Sequence, residues 1–435
     1  MGILDLWKQR SRSRSTSNST SPTAKVEAPL GTSEKIDSSS DPVPEVFVNA
    51  AWSGLPPGTI VGPGQVIGTN AFVTVTDGVS TVADAGTVHV AAGVYAEQVT
   101  VTKTIQLLGA QQGVDARSRS GNPSTESIIT ISTASNAVVA LSADGIVFDG
   151  FTVKGNSLAP GIATSSSYSG YLILDNIVQG NVFGLYLNSN GTTLSTVKHN
   201  LFQNNNLAGA ASGNGIYGDQ GSASLYIYEN RFTGHTSGSL AFYGNPGTQH
   251  DFLIANNEIV SDAPLAMVNT TNATIMGNTI IDTPYEAISI QSNNSHVDIQ
   301  SNYLHQNVDG VSVSPAFGTG ASSTDVRLYN NNIQGNSTAG LLVVAGGYTG
   351  TLDATSNWWG NSSGPSGAGP GTGDAIVEPS PVVAFAPWLT TAPAPVPTGC
   401  SSGATPGCGA GTAPGTGPGT GAGTGAGTGA GTHRM

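Results

Sequence analysis

The sequence predicts an all-β chain, a single-stranded right-handed parallel β-helix of roughly ten coils with a short N-terminal capping helix, and three observations predict it. The first is composition: Gly is abundant (59 residues), only 9% of residues are charged, and Val, Ile, Thr, Ser and Asn dominate the remainder. That mixture suits short strands joined by tight turns and leaves no long amphipathic helices. The second is a repeat, apolar-x-x-Asn-x-apolar, running from Ile173/Asn176/Val178 through Leu328/Asn331/Ile333 to Ala354/Asn357/Trp359. The third is the looseness of its period: between central positions 149, 176, 200, 230, 257, 278, 302, 331 and 357 the intervals run from 21 to 30 residues. A β-coil absorbs such insertions in its turns while its strands keep register, which a helical repeat does not.

Taken in order, residues 1–45 form a Ser/Thr/Pro-rich head with too little apolar surface to offset chain entropy, and the expectation is disorder. The solenoid with its two caps is placed at 46–390. Phe72, Val75, Val79 and Val82 stand at helical spacing before Gly86, which predicts one short helix lying across the open first coil. Strands follow at Thr87–Val90, Val99–Val101 and Ile105–Leu108, and then the repeat begins, with Ile146/Asp149/Phe151 read as an opening copy carrying Asp for Asn. A second strand cue follows most copies, as at Gly184–Leu187 and Gly310–Val313, so each coil carries at least two strands.

The Asn column has a physical reason. Stacked coils repeat at the ~4.8 Å strand spacing, so an inward Asn donates to one neighbouring amide and accepts from the other. Asn176, Asn200, Asn230, Asn257, Asn278, Asn302, Asn331 and Asn357 are expected to form this buried ladder. A second polar column is expected five positions later: Asn181, Asn205, His235, Asp262, Thr283, Asn307 and Asn336.

Three segments carry a family resemblance. The run Gly86-Thr-Val-His-Val-Ala-Ala-Gly-Val-Tyr-Ala-Glu-Gln-Val-Thr-Val, with Thr104-Ile-Gln-Leu-Leu-Gly109, is similar to the first coil of parallel β-helix proteins of the pectate-lyase-like superfamily, in particular secreted or surface bacterial members. The Asn repeats match their middle. Asn357-Trp358-Trp359-Gly360, Gly373-Asp374 and Phe385-Ala386-Pro387-Trp388-Leu389 resemble their closing coil and cap. The resemblance implies the fold, and it implies polysaccharide lyases, hydrolases or esterases as relatives. None of their catalytic motifs transfers to this chain residue by residue, and fold alone grants no activity.

Candidate chemistry must therefore come from columns. One position before the Asn stand Asp175, His199 and Glu229 in successive coils, an acid–imidazole–acid series beside a turn, where charged residues are ordinarily solvated. Asp282, Tyr285, Glu286, His305 and Asp309 make a further cluster in two successive coils. Arg231 is expected to pair with Glu258 on the next coil as a surface ion pair. For carbohydrate contact the residues are Tyr228, Arg231, Tyr303 and Tyr329, drawn from the columns two before and one after the Asn and read as one outer surface. Trp52, Trp358, Trp359 and Trp388 are expected mainly in caps and core. No metal site is expected. No motif specifies a cofactor, Ca²⁺ included.

Net charge is −13, and residues 1–50 hold six acidic and six basic side chains, so the excess lies in the body. Such a surface repels nucleic acid. No stretch reaches the roughly 20 apolar residues of a membrane span, and the N-terminus lacks the apolar core of a signal peptide. Cys400 and Cys408 lie in the 391–435 tail, a flexible Pro/Ala then Gly/Ala/Thr spacer; they cannot staple the core and do not complete a zinc ligand set. The expected function is an extracellular or cell-surface rod, structural, adhesive or carbohydrate-contacting, whose partner would be a polysaccharide or cell-envelope surface. A polysaccharide lyase or glycoside hydrolase is the alternative. Export route and oligomeric state are not legible.

Overall fold

The structure, a computed structural model, describes residues 43–316 and 320–394. Three parallel sheets of 14, 10 and 12 strands run along the solenoid, here called first, second and third in the order the chain visits them within a coil. One coil is Gln249–Ala255 in the first sheet, Glu258–Val260 in the second and Leu265–Val268 in the third; the next is Thr270–Met276, Thr279–Ile281 and Ile288–Gln291. Ten such three-strand coils occur, one for each strand of the second sheet, and the fold is the right-handed parallel β-helix expected.

Alternation at period two sends every other side chain inward, and stacking turns these into columns. The first sheet's inner column runs Val46, Val88, Leu107, Phe148, Ile173, Val197, Ile227, Ile254, Ile275, Ile299 and Leu328, all essentially sealed from solvent. The second sheet contributes Val153, Val178, Phe202, Phe232, Ile259 and Ile280, with Phe202 and Phe232 stacked at 5.1 Å. Leu240, Leu265, Ile288 and Val311 do the same in the third. Each fully buried side chain of this kind contributes about 1.5–3 kcal/mol, so stability is spread along the rod.

The capping helix spans Val75–Thr81, shorter than the 72–85 pattern suggested, because Phe72 and Val82 are drawn into strands of the first sheet. Thr74 caps it by accepting from the Asp77 N–H, and the Glu97 carboxylate accepts from the Val75 and Thr76 N–H groups. Val75 and Val79 are buried, and a Cβ on Gly78 would meet Val48 and Val88, so the helix lies directly on the first coil's apolar interior. At the other end Trp359 is fully buried, and the Trp388 ring packs on Gly364.

The strand Val43–Val48 joins the first sheet beside Val82–Val90. The rest of the head and, beyond residue 394, the tail with Cys400 and Cys408 lie outside the described residues. Among the described residues no helix is long and apolar enough to cross a membrane.

A second correction concerns Asp149. It pairs with Leu174, and Phe151 occupies the Asn176 position, so Asp149 stands on the outer face and not in the Asn column. The six-residue motif is satisfied there by letters that the coil uses two positions out of phase.

Candidate functional site

The turn between the first and second sheets organises everything near it. The residue before each ladder Asn adopts a left-handed conformation: Asp175 (φ 53°), His199 (57°), Glu229 (56°), Asn256 (53°), Gly277 (64°), Ser301 (55°), Asn330 (57°) and Ser356 (57°). One such residue bends the strand path sharply, and Asn or Gly adopts it most cheaply. Within the bend the ladder Asn points inward. Asn278 accepts at Oδ1 from the N–H (2.9 Å) and Nδ2 (3.0 Å) of Asn257, and its own Nδ2 donates to the Ile254 carbonyl (2.9 Å) and to Asn302 Oδ1 (3.0 Å). The pattern repeats from Asn176 to Asn357.

A second row begins with Asn156, Asn181 and Asn205, and Asn205 Nδ2 donates to His235 Nε2 (3.1 Å). Because that nitrogen must accept, His235 carries its proton on Nδ1 and donates it to Asp262 (2.8 Å), with both side chains sealed from solvent. After Asn307 and Asn336 the row ends on Asp374, whose carboxylate accepts from the Gly335 N–H and from the N–H and Nδ2 of Asn336. A third buried row, Ser189, Ser222, Gln249, Thr270, Asn294 and Ser323, lines the turn entering the first sheet. Its residue types vary from coil to coil, so no sequence period betrays it.

The Asp175–His199–Glu229 series converges, and it is not simply solvated. Asp175 is only 6% exposed. His199 Nδ1 lies 3.3 Å from Asp175 Oδ1 without hydrogen-bond alignment, and its Nε2 is 2.9 Å from Glu229 Oε2, which also takes Lys198 Nζ at 3.3 Å. Sequence reasoning missed Asp149, which stands diagonally beside Asp175 with the two carboxyl groups within hydrogen-bonding reach. Burial, chiefly, and Asp175, secondarily, push the Asp149 carboxyl up to about 6, against the Gly113 N–H donated to it at 3.1 Å.

What buries this group is residues 109–126, an insertion in the second coil that folds over the second sheet. Its anchor is Arg119, 7% exposed in its side chain, against Glu126 at 2%, with the guanidinium also donating to the carbonyls of Val114, Phe151 and Asp175. Ala116 packs on Ile177 and Leu201, and its N–H donates to the His199 carbonyl. Gly150 is required beneath it: φ is +83°, and a Cβ would lie 2.2 Å from the Gln112 nitrogen.

This loop borders a groove of about 440 Å³ on the outer face of the first sheet, lined by Phe47, Trp52, His89, Leu108 and Gln112 among others. His89 stacks on Phe47 at 5.3 Å and reaches Glu45 at 3.0 Å. The outer row continues from Phe47, His89 and Leu108 to Asp149, Leu174, Lys198 and Tyr228, and later to Gln300 and Tyr329.

The other candidates are placed differently. Tyr228 and Tyr329 share this row four strands apart, roughly 19 Å, whereas Arg231 and Tyr303 lie on the second sheet. The two columns expected to form one surface are thus split by the bend. The second-sheet column is also partly covered: Ile177, Leu201, Thr279 and Asn332 are buried, the first two under Ala116 and the last beside Pro393. Arg231 faces Glu258 at 3.7 Å on the surface. The Asp282 cluster separates. Asp282 accepts from Ser261, and His305 stacks on Tyr303 and meets the Gln334 carbonyl. Asp309 stands apart beside Glu286, 7% exposed, its carboxyl raised by burial first and by Glu286 second, while Tyr285 is solvent-exposed. Among the described residues no three His, Cys, Asp or Glu side chains are arranged to hold a metal ion. Trp358 donates to Gln334 Oε1, and Trp388 to the Ser362 carbonyl.

Residues 210–357 match the family described as "Right handed beta helix region". No curated protein matches the chain in sequence. Solved structures similar to it include an alginate lyase from Paenibacillus sp. str. FPU-7, at 14% identity over 64% of this chain and 96% of that one with a TM-score of 0.38. Another is the A-module of the mannuronan C-5 epimerase AlgE6 from Azotobacter vinelandii, at 12% identity over 72% and 92% with a TM-score of 0.47. At that identity and superposition neither lends an activity to this chain.

Proposed function

We propose that the chain is a rigid β-helical rod, displayed outside the cell or on its surface, that holds a polysaccharide along the outer face of its first sheet. The observation that supports this best is the coincidence of groove and insertion: a recess of about 440 Å³ on that face adjoins the loop 109–126, and in repeat proteins insertions often gather on the face that binds. Aromatic faces at Phe47, Trp52 and Tyr228 suit pyranose rings, and amides such as Gln112 and Gln300 suit hydroxyls. Parallel strands also give one row of contacts at a constant spacing of about 4.8 Å, suited to an extended polymer. The test is binding of soluble oligosaccharides to the full chain, read by glycan array and Trp fluorescence. Trp52→Ala should weaken a bound glycan about tenfold, roughly 1.4 kcal/mol. An array without any ligand removes the proposal.

One observation favours a second reading, catalysis on that polymer: a carboxyl held up to about 6 stands beside Asp175, which lies 3.3 Å from the His199 imidazole, and such a group is poised for acid–base work near neutral pH. The carboxyl spacing argues against ordinary glycoside hydrolysis, which needs roughly 5–5.5 or 6.5–9.5 Å. Asp149 and Asp175 are in contact, and His199 fills the gap between Asp175 and Glu229. New reducing ends or unsaturated products from a polysaccharide panel, abolished by His199→Ala, would establish the second reading over the first.

A further inference from the structure

The charges around Asp149 and Asp175 are unevenly matched. Arg119 is held by Glu126 and by backbone carbonyls, and it meets the carbonyl of Asp175 rather than its carboxylate. Arg117 is locked to Asp115 at 2.6 Å, and Lys198 to Glu229 at 3.3 Å. His199 is shared between Asp175 and Glu229. Every fixed cation near the carboxyl pair therefore has another partner. Asp175, more than nine-tenths buried, keeps an Oδ1 without a hydrogen bond. Asp149 is one strand beyond Leu108, at the edge of the groove, and is only partly covered.

We infer that the Asp149–Asp175 carboxyl pair is a subsite for a positively charged sugar, so that the groove takes a glycan bearing free amino groups and rejects polyuronates. The inference rests on the polysaccharide reading and narrows its ligand. An ammonium brings three donors and one positive charge to a place with unmatched acceptors and two adjacent carboxyl groups. A bound ammonium would offset the burial and the neighbouring Asp175 charge that hold the Asp149 carboxyl up. A uronate carboxylate in the same position would meet the acidic pair where each nearby Arg and Lys among the described residues is already held by another carboxylate.

The experiment is calorimetric titration of the full chain at pH 6 and low salt with three oligosaccharides of equal length: glucosamine, N-acetylglucosamine and galacturonate. The expected order is glucosamine at least tenfold tighter than N-acetylglucosamine, with no binding of galacturonate. Raising the salt should narrow the first gap. Asp149→Asn keeps an acceptor for the Gly113 N–H and should bring glucosamine affinity down to that of the acetylated oligomer, while the exposed control Asp84→Asn changes nothing. Equal affinity for the amino and acetylated oligomers, or preference for galacturonate, overturns the cationic subsite while leaving a glycan-binding groove. Binding of none of the three, together with an empty glycan array, overturns both.

Discussion

Replacing Asn278 by Leu isolates the energetic role of the amide ladder. The substitution removes the Oδ1 that accepts from the N–H and Nδ2 of Asn257, a residue fully sealed from solvent. The second hydrogen of that Nδ2 keeps its bond to the Ile227 carbonyl, and Asn302 Oδ1 still receives the backbone N–H of residue 278. Two orphaned donors at about 2 kcal/mol each come to about 4 kcal/mol; the leucine methyls offset about 1.5, leaving a net loss of about 2.5 kcal/mol. In a chain this long that is a fall in Tm of about 3 °C. The ladder's end supplies an internal calibration. Asn176 accepts from its preceding coil only the Phe151 N–H, since Phe has no amide to donate, so Asn176→Leu orphans one donor instead of two and should cost only about 0.5 kcal/mol net. Thr338→Leu, on an exposed turn, should move Tm by less than about 1 °C. Thr279, beside the ladder, cannot serve as a solvated control because it is buried. Melting followed by far-ultraviolet circular dichroism, with Asn278→Leu no less stable than Thr338→Leu, would refute the ladder as a source of stability.

Three other outcomes follow from the second-coil loop and its neighbours. Arg119→Leu leaves Glu126 buried without its partner and should destabilise by about 3–5 kcal/mol, with faster amide exchange over 109–126; unchanged exchange there would show that the pair does not anchor the loop. Gly150→Ala should loosen the same segment, because the methyl would overlap the backbone of Gln111 and Gln112; protease nicking within 109–126 measures it, and a wild-type digestion pattern contradicts the close approach. For Asp149 the folded pKa is raised, to about 6 from 3.8, so the native state binds the extra proton. The stabilisation from that proton is complete below about pH 4 and is lost as pH rises through 6. Asp149→Asn should therefore match the wild type near pH 4 and exceed it above pH 6, by about 1 kcal/mol once partial exposure is discounted; a pH-independent difference in denaturation midpoint would remove the shifted carboxyl.

The repeat of Asn and apolar letters was sufficient to read the coils, the inner columns and the two Asn rows, because one register repeated ten times converts spacing along the chain into contact in space. Asp149 shows where that reading stops. Its neighbourhood looks like a repeat copy, yet Phe151 takes the Asn place, a shift that only the hydrogen-bonded pairing of the strands reveals. His199 and its two acids were legible as a column, but not that Asp175 among them is buried. Their cover, Asp115 to Arg119, comes from a loop with no counterpart in other coils.

The amino-acid order by itself therefore determined the architecture of this chain: alternating apolar residues, a left-handed bend and an inward Asn are local features that repeat, and stacking makes them cooperative. Tertiary structure alone decided which polar residues lie in the dark, which two carboxyls meet, and where the outer surface divides. Those depend on the path of a single non-repeating loop and on a bend that turns neighbouring columns onto different sheets, and burial is a property of what lies above a residue in space, not beside it in the chain.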